Sequence, residues 1–398
     1  MTEIPASSSD FFSWKLCSGN DLTELAQQLN VEPGWSLYCL DPPYACFVWC
    51  PPEIDLISAS PFYYLAQFNN AQQVIYVRLD DLVELTWHLQ ALRNESTMLT
   101  EGNVIIIPST GRCGSTLLSN ALSHAGFASL SEPDTLTNIQ AIVTSPSFVD
   151  GVGGNPTMDN LALKKLLSAV IPLICLPYAE ARAVFIKTRA PFSFCQVISQ
   201  VFPQTRFVYM YRECGAVARS FQAIFPADVG LLRSFFKSAS YQLNSLSIPE
   251  GALLERQTNV AALDKLASAM NPQSSAFEWL SAIWFANNVR YLDDYYSGIP
   301  IRALRYEDLI KCSRELLQLL FEFLELTVPP EDMSKALACF SEDSQQGSRI
   351  ASSSQNPTRK YQIKTECKSF IPQLTTLFLP HPILHAFDAI LPGTLLPH

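Results

Sequence analysis

"NVIIIPSTGRCGSTLLSNALSHAG", Asn103 to Gly126, sets a short apolar run, a small-residue loop and an amphipathic stretch in a row. An apolar run ended by Pro108 reads as a buried strand of a parallel sheet. Leu117, Leu118, Ala121 and Leu122 then share one helical face, which Gly126 brings to a stop. A strand that feeds a tight turn and a helix leaves several backbone N–H groups aimed at one spot, with the positive end of the helix dipole behind them. Such a loop holds a phosphate-like anion. Gly111 and Gly114 allow close backbone approach, Ser115 and Thr116 add hydroxyl donors, and Arg112 adds a permanent charge in a planar fork. In Walker-type nucleotide loops the helix opens Gly-Lys-Ser/Thr; here Gly114 passes directly to Ser115, and the nearest cation is Arg112.

The strand-then-helix unit recurs downstream. "ARAVFIKT" precedes "PFSFCQVISQVFP", "TRFVYMYR" precedes "CGAVARSFQAIF", and "IPIRALRY" precedes "EDLIKCSRELLQLLFEFLEL". Strands alternating with helices imply right-handed crossovers, a mainly parallel central sheet covered on both faces, and thus a three-layer α/β sandwich. Ligands of such sheets sit at the carboxyl ends of the strands. Residues 1–99 differ in character. "WSLYCLDPPYACFVWC" suggests short strands interrupted by Pro-Pro, and Asp80 to Arg93 has helical spacing, so this region reads as a small β-rich segment leading into the main domain, 100–398. Two polar interruptions, "SPSFVDGVGGNPTMDN" and "SEDSQQGSRIASSSQNPTRKYQ", read as loops. The second carries Arg349, Arg359 and Lys360, and a long polar loop with cations can fold over a bound anion.

The chain has 398 residues, 48% of them hydrophobic and 16% charged, which favours a well-buried globular chain over disorder. A net charge of -10 argues against nucleic acid as a partner, because phosphate neutralisation needs surplus Lys and Arg. The eleven cysteines are odd in number and lack a C-x-x-C pair, so reduced thiols in a cytoplasmic setting are expected. Residues 1–19 lack the apolar core of a secretory signal, and no uninterrupted run of about 18 apolar residues is present, so no membrane anchor is expected. The five histidines are dispersed, and no metal site is expected. Glu307 and Asp308, in "RYEDL", open a helix where carboxylates suit the dipole.

A second anion element follows the strand "RFVYMYR". Arg212 sits at its carboxyl end and Ser220 lies eight positions on, one to two turns into the next helix, where both can reach one phosphate. Two anion elements on one sheet edge suggest a nucleotide with two phosphate positions.

In this order and at these spacings, "STGRCGSTLL", "FIKTRAP", "FPQTRFVYMYRECGAVARS" and "LRYEDLI" resemble the sulfotransferases that use 3'-phosphoadenosine 5'-phosphosulfate (PAPS) as donor. The resemblance runs from about Asn103 to Glu325 and extends toward Arg349. It implies that Arg112, Cys113, Gly114, Ser115 and Thr116 hold the 5'-phosphosulfate, that Arg212 and Ser220 hold the 3'-phosphate, and that Arg349 adds a cation. PAPS is then the co-substrate, with no metal. The resemblance also implies a general base. Cytosolic members carry Lys-Thr-His after the second strand, where this chain has Lys187-Thr188-Arg189; members acting on protein tyrosines and sugars use a carboxylate, and the resemblance to them implies Glu132 of "LSEPD", twenty residues after Arg112, as the base, with Lys187 beside the sulfuryl group or the acceptor. A structural salt bridge is the alternative role for Glu132. Two other functions stand beside this one: a protein that binds adenosine 3',5'-bisphosphate or a partner without turnover, and a nucleotide kinase or NTPase, disfavoured by the loop's missing lysine. A small-molecule acceptor is expected, and a homo-oligomer stays open.

Overall fold

The computed structural model describes residues 15–17, 22–93, 103–144, 160–188, 194–224, 276–341 and 389–397. Among them, nine strands form two sheets. In the first, β1 (Lys15–Cys17), β2 (Trp35–Asp41), β3 (Tyr44–Trp49) and β4 (Gln73–Arg78) take the order β1-β4-β3-β2, antiparallel except for the β1–β4 pair. The Pro42-Pro43 interruption read from sequence is the turn between β2 and β3, where two residues without an N–H cost the ladder nothing. Around this sheet lie α1 (Leu22–Val31), α2 (Tyr63–Asn70) and α3 (Leu82–Leu92).

The second sheet is the core of the molecule: β5 (Val104–Ile107), β6 (Ala128–Ser131), β7 (Val184–Lys187), β8 (Arg206–Tyr211) and β9 (Ile301–Arg305). It is wholly parallel, in the order β6-β7-β5-β8-β9. Its helices are α4 (Ser115–His124), α5 (Asp134–Thr144), α6 (Asn160–Cys175), α7 (Cys195–Val201), α8 (Cys214–Ile224), α9 (Ala276–Tyr296), α10 (Tyr306–Lys311), α11 (Ser313–Phe323) and α12 (Pro330–Ala338). Alternation along β5 sets the layers. Ile105 and Ile107 pack with Leu118 and Leu122 of α4 and with Leu317 and Leu320 of α11. Val104 and Ile106 face the opposite core, which contains Ile139 of α5, Leu167 of α6, Val217 of α8 and Trp284 of α9 and runs on into the N-terminal sheet. The expected three-layer α/β sandwich with a small N-terminal sheet is therefore present.

Sequence expectation and structure part at three places. Strand β6, "ASLS", carries no apolar run, yet all four of its residues are buried; Ser129 is satisfied there by Ser119 of α4, oxygen to oxygen 2.7 Å. The single helix expected after β9 is two, because Cys312 leaves helical geometry at φ -131, ψ 48. By mean hydropathy, Leu161–Tyr178 does reach membrane-spanning length, 18 residues at 1.6, although Lys164 and Lys165 interrupt the apolar run. More than half of that window is buried, and Leu167, Val170 and Ile174 belong to the main core.

Connections out of β5 run to one side, through α4 to β6, and those out of β8 run to the other, toward β9. The strand order therefore reverses between β5 and β8, the place in a parallel sheet where ligands sit at the strands' carboxyl ends.

Candidate functional site

The loop from β5 to α4 is built for close approach. Gly111 and Gly114 have positive φ, 72° and 80°, and between them Arg112 takes the left-handed conformation at 53°. Left-handed backbone at a non-glycine residue costs about 1–2 kcal/mol and survives only where surroundings enforce it. The loop is anchored at its start: Met210 donates its N–H to Pro108 O (2.9 Å), and Thr110 donates to Met210 O (3.1 Å). Gly114 occupies the N-cap of α4 with no side-chain cap, so the first N–H groups of that helix are left to a ligand or to water. Ser115 and Thr116 form the opening turn. Cys113 turns its thiol into the core beneath the loop, fully buried, and offers an anion only its backbone.

Across the strand reversal, Arg112 donates from Nε to Ser220 Oγ at 2.8 Å. The sequence places Ser220 with Arg212 at one phosphate; in the structure Ser220 also meets Arg112, joining the two anion elements. Arg212, at the end of β8, lies with its guanidinium carbon 4.3 Å above the Tyr306 ring and its Nε 4.0 Å from a Glu307 carboxylate oxygen. That Nε is buried and, among the described residues, without a hydrogen-bond partner, a donor of the kind that asks for an anion. The backbone around it is fixed: Trp284 donates from Nε1 to Arg212 O (2.8 Å), and Glu213 N–H donates to Glu307 Oε1 (3.1 Å). Glu307 and Asp308 do open α10, as expected, but they also answer Arg305, whose Nε lies 3.4 Å from Glu307 and whose guanidinium lies 3.9 Å from Asp308.

On the other side of β5, Lys187 ends β7 with its side chain 3% exposed and forms an ion pair with Glu132, 13% exposed. Glu132 also has positive φ, 57°, and its N–H donates to Lys187 O at 2.8 Å, so the residue leaves β6 in a bent conformation that aims the carboxylate back at the ammonium. The Lys187 ammonium stands 5.6 Å from the centre of the Phe62 ring, which comes from the N-terminal unit. The pair therefore lies where the N-terminal unit meets the parallel sheet.

Arg189, Arg349, Arg359 and Lys360 lie outside the described residues, as does nearly all of the Gly-rich stretch 145–160. Among the described residues no cluster of His, Cys, Asp and Glu is arranged to hold a metal. Sequence reasoning missed Tyr306, Trp284 and Phe62. The signal for Tyr306 was adjacent, in "RYEDL"; the other two come to the site only through tertiary packing.

No protein-family model and no curated protein matches the chain. Solved structures do, at low identity. A sulfotransferase domain from the curacin biosynthetic pathway is similar at 16% identity and a TM-score of 0.36, over 70% of this chain and 98% of that one. Sulfotransferase STF1 of Mycobacterium tuberculosis is 12% identical, TM-score 0.32, over 66% and 79%, and STF9 of Mycobacterium avium is 11% identical, TM-score 0.37, over 94% and 98%. All three are sulfotransferases.

Proposed function

We propose that the chain transfers a sulfuryl group from PAPS to a hydroxyl or amine of a small acceptor. The observation that carries this reading is the Arg112–Ser220 hydrogen bond, which closes two anion-binding elements over one crevice at the strand reversal. The residues fit such a donor: an uncapped helix start, a buried Arg212 Nε, and no loop lysine of the kind that holds a metal-bound γ-phosphate. When bound, the donor supplies an activated sulfuryl group on a phosphate leaving group.

The loop Arg112, Cys113, Gly114, Ser115 and Thr116 would hold the phosphosulfate end, and Arg212 and Ser220 the 3'-phosphate. Arg349 is assigned to the same donor on the sequence resemblance. Arg112 would place its guanidinium where negative charge grows on the leaving oxygen, acting by charge because it does not give up a proton. Glu132 would take the proton of the acceptor, with Lys187 fixing its carboxylate. No metal enters this scheme. The acidic balance of the chain disfavours a nucleic-acid acceptor, and we assign the activity to the cytoplasm.

Thermal unfolding with adenosine 3',5'-bisphosphate and with Mg-ATP tests the donor. At about a hundredfold excess over its dissociation constant a true ligand adds about 2.7 kcal/mol, so the bisphosphate raises Tm and Mg-ATP does not. No stabilisation by the bisphosphate would sink the donor assignment. Transfer of labelled sulfate across a panel of small hydroxyl and amine acceptors separates turnover from binding alone.

A further inference from the structure

Two anion-binding elements can grip one bisphosphate only if their spacing is fixed, and beside the Arg112–Ser220 bond a second side chain spans them. A Cβ built on Gly114 would lie 2.3 Å from Tyr306 Cδ2 and 2.5 Å from Cε2, so the ring edge fills the space that the glycine leaves at the N-cap of α4. The face of the same ring carries the Arg212 guanidinium at 4.3 Å. Tyr306 itself is held where β9 passes into α10, and β9 is locked to β8 by the register Tyr211↔Arg305. The Arg212 backbone is already fixed by Trp284 and, one residue on, by Glu307, which leaves the direction of its guanidinium as the remaining freedom. The ring removes it.

We propose that Tyr306 is a positioning residue that sets the distance between the α4 loop and Arg212, so that the two phosphates of one nucleotide bind together. The inference rests on the donor reading above. An aromatic is required because both of its surfaces are used: the edge against a glycine, the face under a guanidinium, where the ring quadrupole attracts the cation. Leucine would fill most of the volume and offer no such face. Phenylalanine would supply both surfaces.

The test compares three probes by calorimetry: adenosine 3',5'-bisphosphate, adenosine 5'-monophosphate and adenosine 3'-monophosphate. The quantity read is the advantage of the bisphosphate over the tighter monophosphate. In Tyr306→Leu this advantage falls about tenfold, within the range a cation–π contact supports. The 5'-monophosphate, which engages the loop alone, stays within about twofold of wild type. Tyr306→Phe keeps the full advantage. Arg212→Lys, which keeps the charge and loses the planar stack, lowers it similarly, and the double variant loses little more than either single. An unchanged advantage in Tyr306→Leu overturns the inference, as does an equal loss for all three probes with a lowered Tm, which marks a packing role. A wild-type protein with no advantage at all overturns the donor reading itself, and this inference with it.

Discussion

Lys187 and Glu132 are joined twice: the Glu132 N–H donates to the Lys187 carbonyl at 2.8 Å, and the two side chains form an ion pair almost wholly shielded from water. Backbone and charge thus fix one geometry. Removing one partner of such a pair leaves a buried charge unanswered, at about 3–5 kcal/mol. Lys187→Met and Glu132→Gln should each lower the urea midpoint, and the double variant should lose clearly less than the sum of the two. Turnover separates the two roles of Glu132. As a base, its loss as Gln lowers kcat about 10²–10⁴-fold; a variant that is destabilised but turns over normally leaves the carboxylate a structural ion only.

Ser220→Ala removes the acceptor of the Arg112 Nε hydrogen bond. Hydrogen bonds to charged groups contribute about 1.5–3 kcal/mol. The variant should unfold at a lower urea midpoint and bind adenosine 3',5'-bisphosphate about tenfold or more weakly; unaltered affinity would show that Ser220 does not organise the crevice.

Gly114→Ala meets two obstacles at once, a left-handed φ of 80° and the Tyr306 ring 2.3 Å from the new methyl. The backbone term alone costs about 1–2 kcal/mol. Loss of bisphosphate binding together with a stability loss beyond that range is expected in urea titration, and Tyr306→Ala in the same chain should restore part of the stability by clearing the methyl.

Burial pushes the Cys175 thiol up to about 12. The folded state thus resists losing this proton where an unfolded thiol gives it up. Its contribution to stability is intact below the ordinary thiol value and is lost as pH rises from there toward the folded value, at up to about 1.4 kcal/mol per pH unit. Urea unfolding between pH 9 and 11 should therefore show a shallower decline for Cys175→Ala than for wild type. Parallel declines would place the alkaline sensitivity elsewhere.

Central strands and their following helices were legible in the sequence because a parallel strand with helices on both faces must be apolar on both: Ile105 and Ile106 point to opposite cores and read together as one run. β6 was not legible, since it buries two serines in place of an apolar run, and Ser129 is satisfied by a neighbour 10 residues away rather than by the pattern of the strand itself. In the site, the residue types and their elements were readable, but their partners were not. Ser220 faces Arg112 because β8 lies directly beside β5, a fact of topology that the spacing from Arg212 does not contain. Trp284 reaches Arg212 from 72 residues away and Phe62 reaches Lys187 from the start of α2 in the N-terminal unit, so neither belongs to any local motif.

The N-terminal sheet is stitched to the segment that follows Glu132: Leu40 donates its N–H to Asn138 Oδ1 at 3.0 Å, and Thr135 donates its hydroxyl to Tyr38 O at 3.4 Å, next to the wall that Phe62 forms over Lys187. Residues far upstream of the glycine loop are thereby tied to the wall beside the reacting groups. On the donor reading proposed above, substitutions in this sheet would change acceptor choice while the donor loop stays untouched, and a chain shortened to begin at β5 would lose both that wall and the apolar core the two sheets share.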